Sequence, residues 1–357
     1  MNKKRLGRKL IATVVALSTV LSIGTALSFA NPVQPSGAAV AKITKKVTKP
    51  DDVFAPATSF TFTVAPGQAI HASGEQKEIL AGLPNGVRFS NQQTTASIES
   101  KPGTYESETA KSELTIGELE LVVNKDVMDS AAPGIYRYVV KETAGNYHGM
   151  TYDTKERYFD VYVNDQHQVV YSAFVTATDS KIKDDGVFTN DYDKNNTGEG
   201  DKGLGKLKIT KNVTGNLGNK TTDFIFAIKI DGQTGEKFHL TTDGGQTVTI
   251  ESGVQATFKL KHGQTATVTG LSDNDKYTVN ENSYADQGYK TTYEGEHQDK
   301  TFGAEGVKSD AAVKVTNAKE INTPTGIILS YGPYALLVVV AAAILVLFTR
   351  KRKSYED

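Results

Sequence analysis

Six polar residues carry the chemistry open to this sequence. "ITKKV" (Ile43 to Val47) and "ITKNV" (Ile209 to Val213) read as β-strands, in which side chains two apart share a face. Lys45 therefore points with Ile43 and Val47, and Lys211 with Ile209 and Val213. "YRYVVKE" sets Glu142 on the face of Tyr138 and Val140, and "KYTVNE" sets Glu281 with Tyr277 and Val279. Asn190 shares a face with Phe188, and Asn317 with Val313 and Val315. A lysine, a glutamate and an asparagine thus occupy core positions in the same order in each half. Left buried and unpaired, each charge would cost roughly several kcal/mol. Burial favours the uncharged forms: a neutral amine, which is a nucleophile, and a protonated carboxyl, which can donate to an amide oxygen and polarise its carbonyl. Attack of the amine on the asparagine side-chain carbonyl, with glutamate shuttling the proton and ammonia leaving, would join first and last strands by a side-chain amide. The same faces also suit a buried Lys–Glu ion pair beside a hydrogen-bonded asparagine, or one strand out of register with its polar residue in solvent. Lys46 and Lys208 are the rival lysines, and alternation puts both on the outer face.

The elements that must position these groups are strands. "FTFTV", "YFDVYV" and "FIFAIKI" alternate or nearly so, and "APGQ", "LPNG", "AAPG", "TDGG" and "KHGQ" supply turns between them. No stretch between the two hydrophobic ends has convincing amphipathic-helix periodicity. Short strands with frequent turns predict antiparallel sandwiches. "DYDKNNTGEGDKGLG" (Asp191 to Gly205) has Leu204 as its one large aliphatic and reads as a linker. The motifs on its two sides recur in order, which predicts a duplicated domain rather than a solenoid.

The ends are targeting segments. Residues 1–30 have a basic start, an apolar stretch and small residues at Ser28 and Ala30, the pattern of a cleaved secretory signal. Residues 327–348 are apolar and long enough to span a bilayer, and Arg350 to Lys353 follow as a cytoplasmic anchor. The 357 residues carry a net charge of −1, which argues against a dedicated nucleic-acid binder, and no cysteine, so an extracellular chain of this kind must rely on its cores or on another crosslink. The six histidines form no metal-type pair, and "DKNNTGEGD" lacks the terminal glutamate of a calcium loop, whose position falls on Leu204. No metal and no cofactor is expected. No nucleophile elbow, P-loop or dinucleotide motif is present, so no multiple-turnover enzyme is expected.

Taken together, the "V/I-x-K-x-V" first strand, the "Y-x-V-x-E" strand, "GMTYD" (Gly149 to Asp153) and the terminal "F/V-T-N" resemble the backbone pilins of Gram-positive bacteria, of the streptococcal isopeptide-linked type. "FKLKHGQTATVTGLSDNDKYTVNE" also resembles the collagen-adhesin B-type repeat. The resemblance implies an all-β chain with two tandem immunoglobulin-like sandwiches, each with one autocatalytic Lys–Asn bond. The first would join Lys45 to Asn190 with Glu142 as catalyst, and the second Lys211 to Asn317 with Glu281. The domains are expected at 31–191 and 206–321, with a linker at 192–205, a sortase motif at 322–326, the membrane span at 327–348 and a basic tail at 349–357. "NTPTG" (Asn322 to Gly326) resembles a variant sorting signal, to be cut between Thr325 and Gly326 by a pilin or housekeeping sortase. In related pilins a lysine near the last strand of the first domain accepts the next subunit. Lys183 matches that spacing best, with Lys181 as the alternative. The expected partners are other copies of the chain, minor pilins and a host surface ligand, on the cell surface of a Gram-positive bacterium after transient membrane anchoring. A monomeric, sortase-anchored wall adhesin, presenting the segment from Ala65 to Ser130, is the alternative.

Overall fold

The computed structural model describes residues 40–74, 77–103, 112–177, 183–192, 204–273, 275–302, 310–321, 334 and 336–344. The expected signal segment, the sortase motif with Thr325 and Gly326, Lys181, most of the linker with its calcium-loop-like stretch, and the basic tail lie outside these residues.

The first half contains β1 (Val40–Lys49), β2 (Thr58–Pro66), β3 (Leu80–Ala81), β4 (Val87–Phe89), β5 (Thr95–Ser100), β6 (Ser112–Val123), the single-turn helix α1 (Lys125–Met128), β7 (Gly134–Thr143), β8 (Met150–Thr151), β9 (Arg157–Val163), β10 (Val169–Val175) and β11 (Val187–Tyr192). One sheet runs β4-β6-β1-β11-β8. The other runs β10-β9-β7-β2-β5, with β3 also beside β7. The alternation in "FTFTV" does what its period requires. Phe60, Phe62 and Val64 are buried while the intervening threonines are only partly covered. Each buried phenylalanine contributes roughly 1.5–3 kcal/mol.

The second half contains β12 (Gly205–Thr214), β13 (Phe224–Asp231), β14 (Lys237–Thr242), β15 (Thr247–Glu251), β16 (Gln255–Leu260), β17 (Thr265–Leu271), β18 (Lys276–Glu281), β19 (Lys290–Glu294), β20 (Lys300–Thr301) and β21 (Ala311–Ala318), with a 3₁₀ turn at Ala285–Gln287. Its sheets run β15-β14-β17-β12-β21-β19 and β16-β13-β18-β20.

Both halves share one device. The first and last strands of each sandwich are parallel neighbours, β1 beside β11 and β12 beside β21. The registers coincide as well: Lys45 lies opposite Phe188 and Val47 opposite Asn190, while Lys211 lies opposite Val315 and Val213 opposite Asn317. Lysine and asparagine are offset by two residues on one inward face in each copy. The facing sheet brings the glutamates, with Phe62 paired to Glu142 and Phe226 to Glu281.

The segment between the domains is shorter than its composition predicts. Tyr192 completes β11 and is buried, Leu204 is buried in the first core, and Gly205 opens β12. A polar setting in the sequence hides Tyr192, whose ring is taken up by packing edge-on against Tyr147. The two halves touch beside this segment: Lys206 Nζ donates to Asp52 at 2.9 Å, and the Tyr192 hydroxyl donates to Glu236 Oε1 at 3.3 Å. Within the apolar stretch at 327–348, Tyr334 and residues 336–344 are helical and exposed. Among the described residues no helix is long and apolar enough to cross a membrane.

Candidate functional site

Lys45 and Asn190 come from adjacent strands of one sheet, and Glu142 reaches them from the other. All three side chains are sealed from solvent. Lys45 Nζ donates to Glu142 Oε2 at 2.8 Å, and Asn190 Nδ2 donates to Glu142 Oε1 at 2.6 Å. The carboxyl thus bridges the nucleophile and the nitrogen that would leave. The sequence suggested that glutamate would instead polarise the carbonyl. The carboxamide oxygen accepts from the backbone N–H of Asp153 at 2.8 Å. The ammonium lies 4.6 Å from the centre of the Phe60 ring, and Phe62 packs edge-on against Phe188. Burial pushes the Lys45 amine down and the Glu142 carboxyl up, and their mutual attraction opposes both shifts only in part. Dry surroundings therefore lower the cost of passing the proton from amine to carboxyl, which is the state that attack on a carbonyl requires.

In the second domain Lys211 Nζ and Glu281 Oε1 stand 2.7 Å apart, both side chains fully buried, without hydrogen-bond alignment. Burial pushes the Lys211 amine down, and its nitrogen lies 4.3 Å from the centre of the Phe224 ring. Asn317 is fully buried, and neither its amide nitrogen nor its oxygen has a hydrogen-bond partner among the described residues. Glu281 Oε2 accepts a long bond from Thr291 Oγ1 at 3.5 Å. The rival lysines face outward: Lys46 pairs with Glu113, and Lys208 is exposed.

Lys183 is exposed beside β10, bridged to Val175, with its ammonium 5.8 Å from the Tyr171 ring centre. It stands apart from both buried triads.

Residues 41–193 match the family model of the Spy0128-like isopeptide containing domain, and residues 205–319 match a domain of unknown function (DUF7601). The chain is 26% identical over 321 residues to a pilin of Streptococcus pyogenes serotype M1, across 84% of this chain and 86% of that one. The chain is similar to Gram-positive backbone pilins. A major pilin from Streptococcus pyogenes has the same fold, with a TM-score of 0.54 at 20% identity, covering 80% of this chain and 100% of that one. The pilus tip adhesin Cpa of Streptococcus pyogenes is 34% identical over 125 residues, which is 34% of this chain and 18% of that protein.

Sequence reasoning missed three groups. Asp153 closes the "GMTYD" marker, but it acts through a backbone N–H, which no residue type announces. Phe60 and Phe224 line the lysine pockets, and their spacing before Phe62 and Phe226 was the available signal. Glu236 and Asp275 are buried where the two domains meet, and burial pushes them up to about 7 and about 8, Asp275 further by the charge of Glu236. Nothing in their local pattern marks either as buried.

Proposed function

We propose that the chain is the major structural subunit of a covalently polymerised pilus on the surface of a Gram-positive bacterium, and that each domain locks itself with one Lys–Asn amide bond. The observation that carries this reading is the buried Lys–Glu–Asn set at one register in both sandwiches. In the first domain Lys45 passes one proton to Glu142 and, as the neutral amine, Nζ attacks Asn190 Cγ. The protonated carboxyl gives that proton to Nδ2, takes the second proton that Nζ sheds, and ammonia leaves. The Nζ–Cγ bond forms, the Cγ–Nδ2 bond breaks, and the glutamate ends holding the proton that neutralised the original ammonium–carboxylate pair. Packing supplies the proximity. Each amine is consumed, so the event is a single turnover. Glu281 has the same role for Lys211 and Asn317, once the Asn317 carboxamide turns its nitrogen to the carboxyl.

Such a bond suits a fibre under tension. Load entering along β1 would cross from Lys45 to Asn190 into β11, and the residues between would carry none of it. Sortase would cut Thr325–Gly326 and pass the acyl group to Lys183 of the next subunit, whose exposed ammonium is accessible to it. The exposed apolar helix at 336–344 supports a membrane anchor before cleavage.

Replacing Lys183 by arginine tests polymerisation. The reading expects loss of the high-mass ladder from wall extracts, and a ladder that persists in both Lys183→Arg and the Lys181/Lys183 double variant would refute this acceptor. A monomeric wall adhesin is the second reading, favoured by the stretch shared with the tip adhesin. It predicts no ladder from the unaltered chain.

A further inference from the structure

We propose that the backbone N–H of Asp153 is the oxyanion donor for the Lys45–Asn190 bond, and that the second domain forms its bond more slowly for want of such a donor. The inference rests on the amide-forming reading above.

Attack on Asn190 turns its carbonyl oxygen into an oxyanion inside a core that excludes water, so a donor must already face that oxygen. Glu142 cannot serve, because it faces the nitrogen of the carboxamide. The Asp153 N–H is already 2.8 Å from Asn190 Oδ1, within the range such donors keep. Its aim is fixed from several sides. Asp153 Oδ1 accepts from Lys155 N at 2.9 Å. Asp153 Oδ2 accepts from Arg157 Nη2 at 2.9 Å and from Thr189 N at 3.3 Å. Arg157 Nη2 also donates to Val187 O at 2.7 Å, and the guanidinium lies over the Phe188 ring at 4.7 Å. The loop is thereby fastened to β11, the strand that carries Asn190.

Strand length explains why only one domain has this. β8 is two residues long, enters from Gly149 at a φ of 74°, and pairs with β11 only at Thr151 and Met150. The chain then leaves the ladder, and the next N–H but one turns to the Asn190 side chain. In the second domain the equivalent neighbour is β19, which stays in register past Asn317 from Lys290 to Glu294. The nearest polar side chain on it, Thr291, bonds Glu281 instead, and Asn317 Oδ1 is without a donor among the described residues.

The test makes the full chain by cell-free translation with the α-hydroxy analogue of aspartate at position 153, which turns the amide between residues 152 and 153 into an ester and removes the N–H while keeping every side chain. Peptide mapping against time follows ammonia loss in each domain. The expected result is a first-domain bond slowed by about 10²–10³-fold, with the second domain unchanged. An unchanged first-domain rate overturns the donor while leaving the amide-forming reading intact. Absence of the bond in the unaltered first domain overturns both. Should the ester variant fold poorly, the unaltered chain decides: the first-domain bond must mature before the second after folding, and equal or reversed order overturns the proposal.

Discussion

The two triads share residue types, register and burial, yet they differ in how they are hydrogen-bonded. Around Lys45 the carboxyl bridges amine and carboxamide, and the carboxamide oxygen has its own donor. Around Lys211 amine and carboxyl are as close, but Asn317 is bonded to neither. The parallel pairing of first and last strands, common to both sandwiches, places lysine and asparagine alike; the strand flanking the last one sets the rest. A further contrast lies within the first domain. Arg137 and Asp160 also form a buried pair, with both guanidinium contacts at 2.8 Å. A guanidinium stays protonated, so that pair can only be structural. Lysine in the same kind of setting can surrender its proton and react.

The largest effect should come from removing the bond itself. Asn190→Ala and Asn317→Ala are each expected to cost about 5 kcal/mol in thermal or denaturant unfolding, the value for tying off a loop of this size. The loops are similar in length, so the two losses should agree within a few tenths of a kcal/mol. A much smaller loss for Asn317→Ala would mean that the second bond is incomplete, and would sharpen the contrast between the domains. Arg137→Ala should follow, at about 3–5 kcal/mol, because it strands a buried carboxylate. It should leave the ammonia loss of both domains untouched, and a change in mass would break the distinction between structural and reactive pairs.

The junction carboxylates give an effect that depends on pH. In the unfolded chain both lose their protons near about pH 4. In the folded chain Glu236 keeps its proton to about 7 and Asp275 to about 8. The folded state therefore binds more protons across this window, so stability falls as pH rises from about 4 to about 8 and then levels off. Melting curves from about pH 5 to about pH 8.5 should show the decline, and Glu236→Gln or Asp275→Asn should flatten it. Stability that rises through this range would contradict the burial of the pair. The smallest effect is expected from Tyr192→Phe, which removes one hydroxyl bond to Glu236 and should cost about 1 kcal/mol.

Much of this was legible in the sequence because strand alternation is a strong signal. Lys45 and Lys211 were assigned inward by their β-branched neighbours, and both are fully buried. The parallel pairing of β1 with β11 and of β12 with β21 was harder to read, since it depends on which distant strands meet. The amide chemistry required the first and last strands to meet, but periodicity predicted antiparallel sandwiches and did not give the parallel direction of these two pairs. Backbone donors stay hidden because every residue but proline has one, and only the path of the chain shows where it points. Tyr192 was read as linker because the residues around it are polar, and its contacts come from Tyr147 and Glu236, far away in the sequence.

Intact mass of residues 31–321, followed by peptide mapping, tests the central claim most directly. The prediction is one ammonia lost per domain, with Lys45 recovered joined to Asn190 and Lys211 to Asn317, the first link absent in Glu142→Ala and the second in Glu281→Ala. Recovery of all four residues unmodified on separate linear peptides would contradict it.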